Sequence, residues 1–458
     1  MEFIKISLLT LILLICLGCT SIRTRDAYKE MLLTNVQNRN FEGAIQLIEE
    51  AKAKSFSQKD MVLYHLYRGV LLHYNKEYIE SNKSFDFAEE GIEELYTKSI
   101  SRSASSLFLN DNVLAYAGED YEDIYINIFK ALNYINLDKP ESAFVEIRKV
   151  NIKLNLLEDK YKKFTEQLNS ADESKVKFEV ISTQFNNSAL ARYLSMLLYR
   201  AESKQDDLRI DMRYLDEVFK LQAHIYNFAK PDLTNFLIKE TGKTKVSFLS
   251  FTGLAPQKYP VNYRIVTSEN AIHVFVDDGT NAQGQMFSFP GISAGYFFKF
   301  SVPQMQEMQS NITRIKVEVN GQELGQLQKI EDINRIAKET FQTKAHMAYV
   351  RAITRTVTKG IASIATQRKI EESAGEFGGM LAKFGTAALT EASEAADLRS
   401  CFILPGFAYI GDFDLAPGIH DIKVKYINRY GVEVFTETFD NYEVKPNEVN
   451  LIESYFLN

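Results

Sequence analysis

The chain has no tryptophan, and only three of its 458 residues are cysteine. Without tryptophan it lacks the residue that most strongly marks carbohydrate-stacking platforms, a role its 24 tyrosines fill only in part. Cys16 and Cys19 lie in the N-terminal leader, so Cys401 stands alone in the body of the protein and no intramolecular disulfide forms there. A lone thiol of this kind is usually buried and inert. Neither sign of charge dominates: a formal net charge of −7 gives no global attraction to nucleic acid or anionic lipid. Beyond Leu17 no apolar run is long enough for a second membrane span. P-loop, GxGxxG, EF-hand and CxxC patterns are all missing, and the six histidines show no zinc-ligand pairing. No metal or small-molecule cofactor is expected. What remains, 45% hydrophobic and 25% charged, is ordinary globular composition with length for two or three domains.

What is present begins with the leader. Lys5, the apolar run Ile6 to Leu17, then Gly18 and Cys19 describe an export signal whose core is too short to span a bilayer stably. Cys19 directly after Gly18 resembles the bacterial lipobox, in which the cysteine is linked to diacylglycerol and becomes the first mature residue. Cys16 departs from it, standing where the lipobox usually has leucine. The expectation is signal peptide 1–18, cleavage after Gly18, an acyl lipid on Cys19 and a linker over 19–27. An ordinary signal peptide cut elsewhere, or an uncleaved anchor, is the alternative.

From 28 to 230 the chain reads as helices whose small residues recur at tetratricopeptide-like spacing. The clearest unit has Gly69, Leu72, Ser81, Phe85 and Ala88. A half-unit supplies Ala44, Ile48 and Ala51 after Phe41, and a later one supplies Ala131, Tyr134, Ala143, Ile147 and Val150, with Pro140 in its turn. Such hairpins stack because each exposes an apolar face that only a neighbour covers, leaving a surface for a protein partner, here expected near Tyr74 and the 109–116 loop. A bundle with accidental register is the alternative. A further hairpin is expected over Ser188 to Phe219, as a cap.

After Lys230 the texture turns to short β-type runs at Val246–Phe251, Ala271–Val276, Tyr296–Val302 and Ile315–Val319, with Asn320-Gly321 as a hairpin signal. Ile419–Ile427 and Val432–Phe439 read as a second hairpin. The reading is α+β: a helical solenoid, then one β-sandwich closed from 240–328 and 400–458 around a helical insertion at 329–399. In the insertion, Lys344, Arg351, Arg355 and Lys359 fall on one stripe, a contact for phospholipid headgroups or an anionic polymer unless it is merely a solvated face. Ser373 to Ala396, rich in Gly and Ala, suggests an intramolecular helical hairpin or a segment resting on the membrane.

Gly291-Ile-Ser293-Ala-Gly295 matches the GxSxG of serine hydrolases, but an aromatic β-type run follows where a nucleophile elbow needs a helix. A hydrolase through Ser293 is the third functional reading.

Several strings together, Gly118-Glu119-Asp120-Tyr121-Glu122, Ala131-Leu-Asn-Tyr134, Glu146-Ile-Arg-Lys149, Ala189-Leu-Ala-Arg-Tyr-Leu-Ser195, Gly253-Leu-Ala-Pro256 and Ala396-Asp-Leu-Arg-Ser400, resemble a family of bacterial tetratricopeptide-like envelope lipoproteins. Cys401 departs from it, standing where tryptophan is expected. The resemblance implies a periplasm-facing lipoprotein linked to cell-wall and envelope assembly, and Thr20 rather than aspartate after Cys19 resembles the sorting preference for the outer membrane. No catalytic activity comes with it. The expected function is a non-enzymatic, lipid-anchored scaffold binding envelope proteins and no nucleic acid; the alternative is a membrane-active or homo-oligomeric protein built through the Gly/Ala-rich hairpin.

Overall fold

The computed structural model describes residues 28–101, 114–169, 183–277, 284–289, 292–357 and 395–458, Lys239 and Thr354 excepted. Within them the chain is mixed α+β, with helices through the N-terminal half and sheets after residue 243. Helices α1 (28–37), α2 (Phe41–Lys52), α3 (Met61–Tyr74), α4 (Tyr78–Ser101), α5 (Asp120–Asn136), α6 (Pro140–Asn169), α7 (Ala189–Ala201) and α8 (Gln205–Leu221) form four hairpins, followed by the short α9 (Thr234–Leu237).

The four hairpin turns are built alike. Arg39, Lys76, Asp138 and Ser203 take left-handed φ of 59°, 64°, 54° and 59°. After each, the next N–H reaches the carbonyl five residues back: Asn40 to Asn35, Glu77 to Leu72, Lys139 to Tyr134 and Lys204 to Tyr199, at 2.8–2.9 Å. This is a Schellman closure made without glycine.

Gly69 in α3 meets the ring of Phe85 in α4, and a methyl group added there would lie 2.6 Å from Phe85 Cδ1. Ser81 Oγ, one turn earlier, donates to the Gly69 carbonyl at 2.7 Å. Gly69→Ala should therefore destabilise the protein by about 1–3 kcal/mol despite alanine's better helix propensity, because Phe85 is buried and cannot withdraw. A chemical denaturation midpoint unchanged from wild type would contradict this.

Three four-stranded sheets follow. The first has order β12–β1–β9–β8, from Asn450–Phe456, Thr244–Leu254, Pro405–Leu415 and Gln328–Asp332; β12 and β1 are parallel and the other pairs antiparallel. The second has order β11–β10–β6–β7, from Glu433–Val444, Gly418–Asn428, Ile312–Val319 and Gln322–Gln326. These two face each other across a core of Val246, Phe248, Ile315, Val317, Ile422, Val424, Tyr426 and Ile452. The third, β4–β3–β2–β5, uses Gln285–Ser288, Ala271–Val276, Gln257–Ser268 and Phe297–Gln306. It packs on α10, the helix over 333–353, through Ile265, Phe300, Ala352 and Ile353.

The expectation of one sandwich from all the strands is corrected: β2–β5 pair among themselves, and the presumed boundary at 329 falls inside β8. Nor is the first part of the insertion separate, since Ile333, Ile336 and Phe341 of α10 join the main core.

The first sheet is buried on both faces. Val246 and Phe248 of β1 face the second sheet, while Leu249, Phe251 and, beyond the left-handed Gly253, Leu254 enter the helical core. Phe251 stacks on Phe129 of α5 with ring centroids 5.9 Å apart. Helices α3 and α5 are accordingly buried around most of their circumference, whereas α8 buries only Leu208, Asp211, Leu215 and Val218.

Candidate functional site

The packing positions read from the sequence lie inside the helical layer: Ala44, Ile48, Ala51, Phe85, Ala88, Ala131, Ala143 and Ile147 are buried. Gly18 and Cys19 lie outside the described residues, as do Lys359 and Ser373 to Glu394.

The helix face expected to receive a partner near Tyr74 is covered by the protein's own sheet. Tyr74 donates to the Ile403 carbonyl at 3.1 Å, and Tyr67 to that of Ser400 at 2.8 Å. Buried His73 contacts Asn133, Tyr455 and Glu453, with Nε2 3.2 Å from the Glu453 carboxylate. On α7, Tyr193 and Arg200 both reach Asp412 of β9, at 2.9 and 3.0 Å. Between these points Glu331 of β8 accepts from Tyr125, Ser188, Leu190 N–H and Tyr226. The surface near Tyr74 is thus an internal interface, which corrects the sequence reading.

An outer groove remains, about 720 Å³, between α4, α5 and α6. Its α4 wall carries Asp86, Glu89, Glu90 and Glu93; its α6 wall carries Lys149, Lys153 and Lys160. Lys153 bridges to Glu89 at 2.9 Å and Asp123 at 2.6 Å, and buried Lys130 reaches Asp86 at 2.7 Å. Burial alone would raise the Glu89 carboxyl, but Lys153 and Lys130 outweigh it and hold it well below the usual range. Glu90 and Glu93 are exposed, and so are Ile152 and Leu156, 56% and 55%, one turn apart on α6. On α6, Ile152 and Leu156 are thus interleaved with lysines across from the acidic residues of α4.

A second feature is a charged, solvent-open cavity of about 230 Å³ lined by α4, the 114–119 loop, α6, β2, α10 and the 397–399 segment. Two strings far apart in sequence meet here. Glu119 holds Lys258 at 2.5 Å and Lys344 at 3.2 Å, and Lys344 also donates to the Gly118 carbonyl at 2.8 Å. Arg399 pairs with Asp397 at 2.7 Å and Asp60 at 2.9 Å. Burial opposes the charge on Lys344, yet Glu119 and Asp120 carry its pKa above the ordinary value. Burial likewise opposes the charge on Asp120, but Lys160 and Lys344 bring its carboxyl down to about 2. Behind Glu119, Glu122 accepts from Tyr116 and from the Cys401 N–H, both at 2.6 Å. Burial and the Glu119 charge raise the Glu122 carboxyl, and burial raises the Cys401 thiol.

These contacts correct the expected cationic stripe. Lys344 is turned into the cavity, Arg351 lines it, and Arg355 is buried, so the three do not form a solvent-facing patch. Ser293 lies on an exposed loop before β5, without the following helix of a nucleophile elbow. Among the described residues no cluster of His, Cys, Asp or Glu is arranged to hold a metal ion, and no helix is long and apolar enough to cross a membrane. Sequence reasoning missed Glu119, Lys258 and Arg399 as a site, since only the fold joins them.

No protein-family model matches the chain, and no curated protein matches it significantly in sequence.

Proposed function

We propose that the protein is a lipid-anchored scaffold of the bacterial cell envelope, facing the periplasm and holding a protein partner in the α4–α6 groove. The anchor reading rests on Gly18-Cys19 after the apolar leader. The helical half is read as a tetratricopeptide-like array, supported by four hairpins closed by the same turn and by the Gly69–Phe85 contact. The observation that carries the partner site is the exposed pair Ile152 and Leu156 among the lysines of α6, across from the acidic α4 and on the side of the array that the first sheet leaves open.

Two variants test the reading. Cys19→Ala should abolish incorporation of labelled fatty acid into the protein, and undiminished labelling would contradict lipidation there. Ile152→Glu combined with Leu156→Glu should abolish co-purification of the envelope partner at unchanged thermal stability, since both side chains are more than half exposed. Undiminished co-purification would remove the groove from the account.

A further inference from the structure

We propose that the cavity beside α10 binds a small amphiphile: an oxyanion, carboxylate or phosphate, carried on an apolar body. The cavity adjoins the partner groove, sharing Ile92, Tyr96 and Lys160 with it, and the hydrogen-bonding groups it leaves over point to the ligand.

Three lysine ammonium groups line it, and each ammonium carries three N–H donors and no acceptor. Lys258 gives one hydrogen bond to Glu119, Lys160 one to Asp120, and Lys344 one each to Gly118 and Glu119. Donors therefore remain on all three. The carboxylates beside them are already engaged, Glu119 by two lysines and Asp397 by Arg399. A ligand that satisfies the cavity must bring acceptor oxygens, and a negative charge suits the excess of ammonium donors.

The rest of the wall is apolar, with Leu95, Tyr96, Phe341 and Met347 lining the same space. Lys258 itself lies 5.4 Å from the centroid of Phe341, so the charged and apolar parts adjoin. Water alone would answer the donors but leave the apolar wall wet. A cavity of 230 Å³ has room for roughly eight non-hydrogen atoms at about 30 Å³ each. That matches hexanoate, which has eight; hexyl phosphate, with eleven, fits only with its head at the mouth of the cavity.

The test uses the chain from Thr20 onward, which keeps every described element, and isothermal titration with four probes: hexanoate, hexyl phosphate, hexanol and inorganic phosphate. At least one hexyl anion should bind at least tenfold tighter than both hexanol and inorganic phosphate, and the tighter of the two anions tells a carboxylate source from a phosphate one. Ala348→Phe, which fills the cavity from α10, should weaken that binding at least tenfold; Leu95→Phe serves the same purpose from α4 if the first variant does not fold. Binding of neither anion, equal binding of hexanol, or full binding by a folded, cavity-filled variant would overturn the proposal. The comparison of the four probes on the unaltered chain needs no variant to decide it.

Discussion

A chain ended after Leu237 will not fold as a helical domain. The full chain from Thr20 should melt in one cooperative transition, whereas the fragment should aggregate or melt without cooperativity and bind a hydrophobic dye. The reason is that α3, α5 and α7 bury their inner faces on the first sheet rather than on one another. Removing that sheet exposes Tyr74, Phe129 and Tyr193 together, with the ring of Phe251 gone from Phe129 and Asp412 gone from Tyr193. It also leaves buried His73 without Glu453 and Tyr455. An exposed apolar face of that extent is an aggregation surface, not a domain boundary. Circular dichroism melts of the two chains decide the matter, and a fragment that unfolds cooperatively would show that the helices stand alone.

The second large effect belongs to Glu331. Its side chain is fully buried with no cation on it among the described residues, and Tyr125, Ser188, Leu190 N–H and Tyr226 all donate to it, tying β8 to α5, α7 and the segment after α8. Glu331→Ala should cost about 3 kcal/mol or more, because several buried donors lose their acceptor at once. Burial pushes the Glu331 carboxyl above the usual range, although the four donors favour its charge. The folded pKa thus exceeds the unfolded value of about 4.3. The stability this shift contributes is complete below that value and is lost as pH rises through the folded pKa. Glu331→Gln cannot titrate, so its deficit relative to wild type should shrink as pH rises through that range. Denaturation of both proteins across the acid to neutral range measures it, and a deficit that grows with pH would contradict the assignment.

The helical half was legible because small residues at fixed offsets mark close helix approach, as Gly69 and Phe85 do. Its turns were not, because Arg39, Lys76, Asp138 and Ser203 hold the left-handed position where glycine would have advertised it. Asn320-Gly321 announced the β6–β7 hairpin through two residues that accept positive φ. In contrast, β2 carries Pro260 and an exposed, uneven pattern, and nothing local marks it as a strand. The run Val246 to Phe251 is apolar at both parities, which signals burial on two faces. What covers each face depends on partners as distant as Phe129 and Ile452, and so does the cavity, whose charges come from Glu119, Lys258 and Arg399.

The most direct test of the scaffold account is photocrosslinking in intact cells, with a benzophenone side chain at Ile152 or Leu156 and, as control, at Tyr430, which is 82% exposed on the β10–β11 turn. The account predicts one dominant envelope protein captured from Ile152 and Leu156 and none from Tyr430. Capture from Tyr430 with nothing from the groove would contradict it.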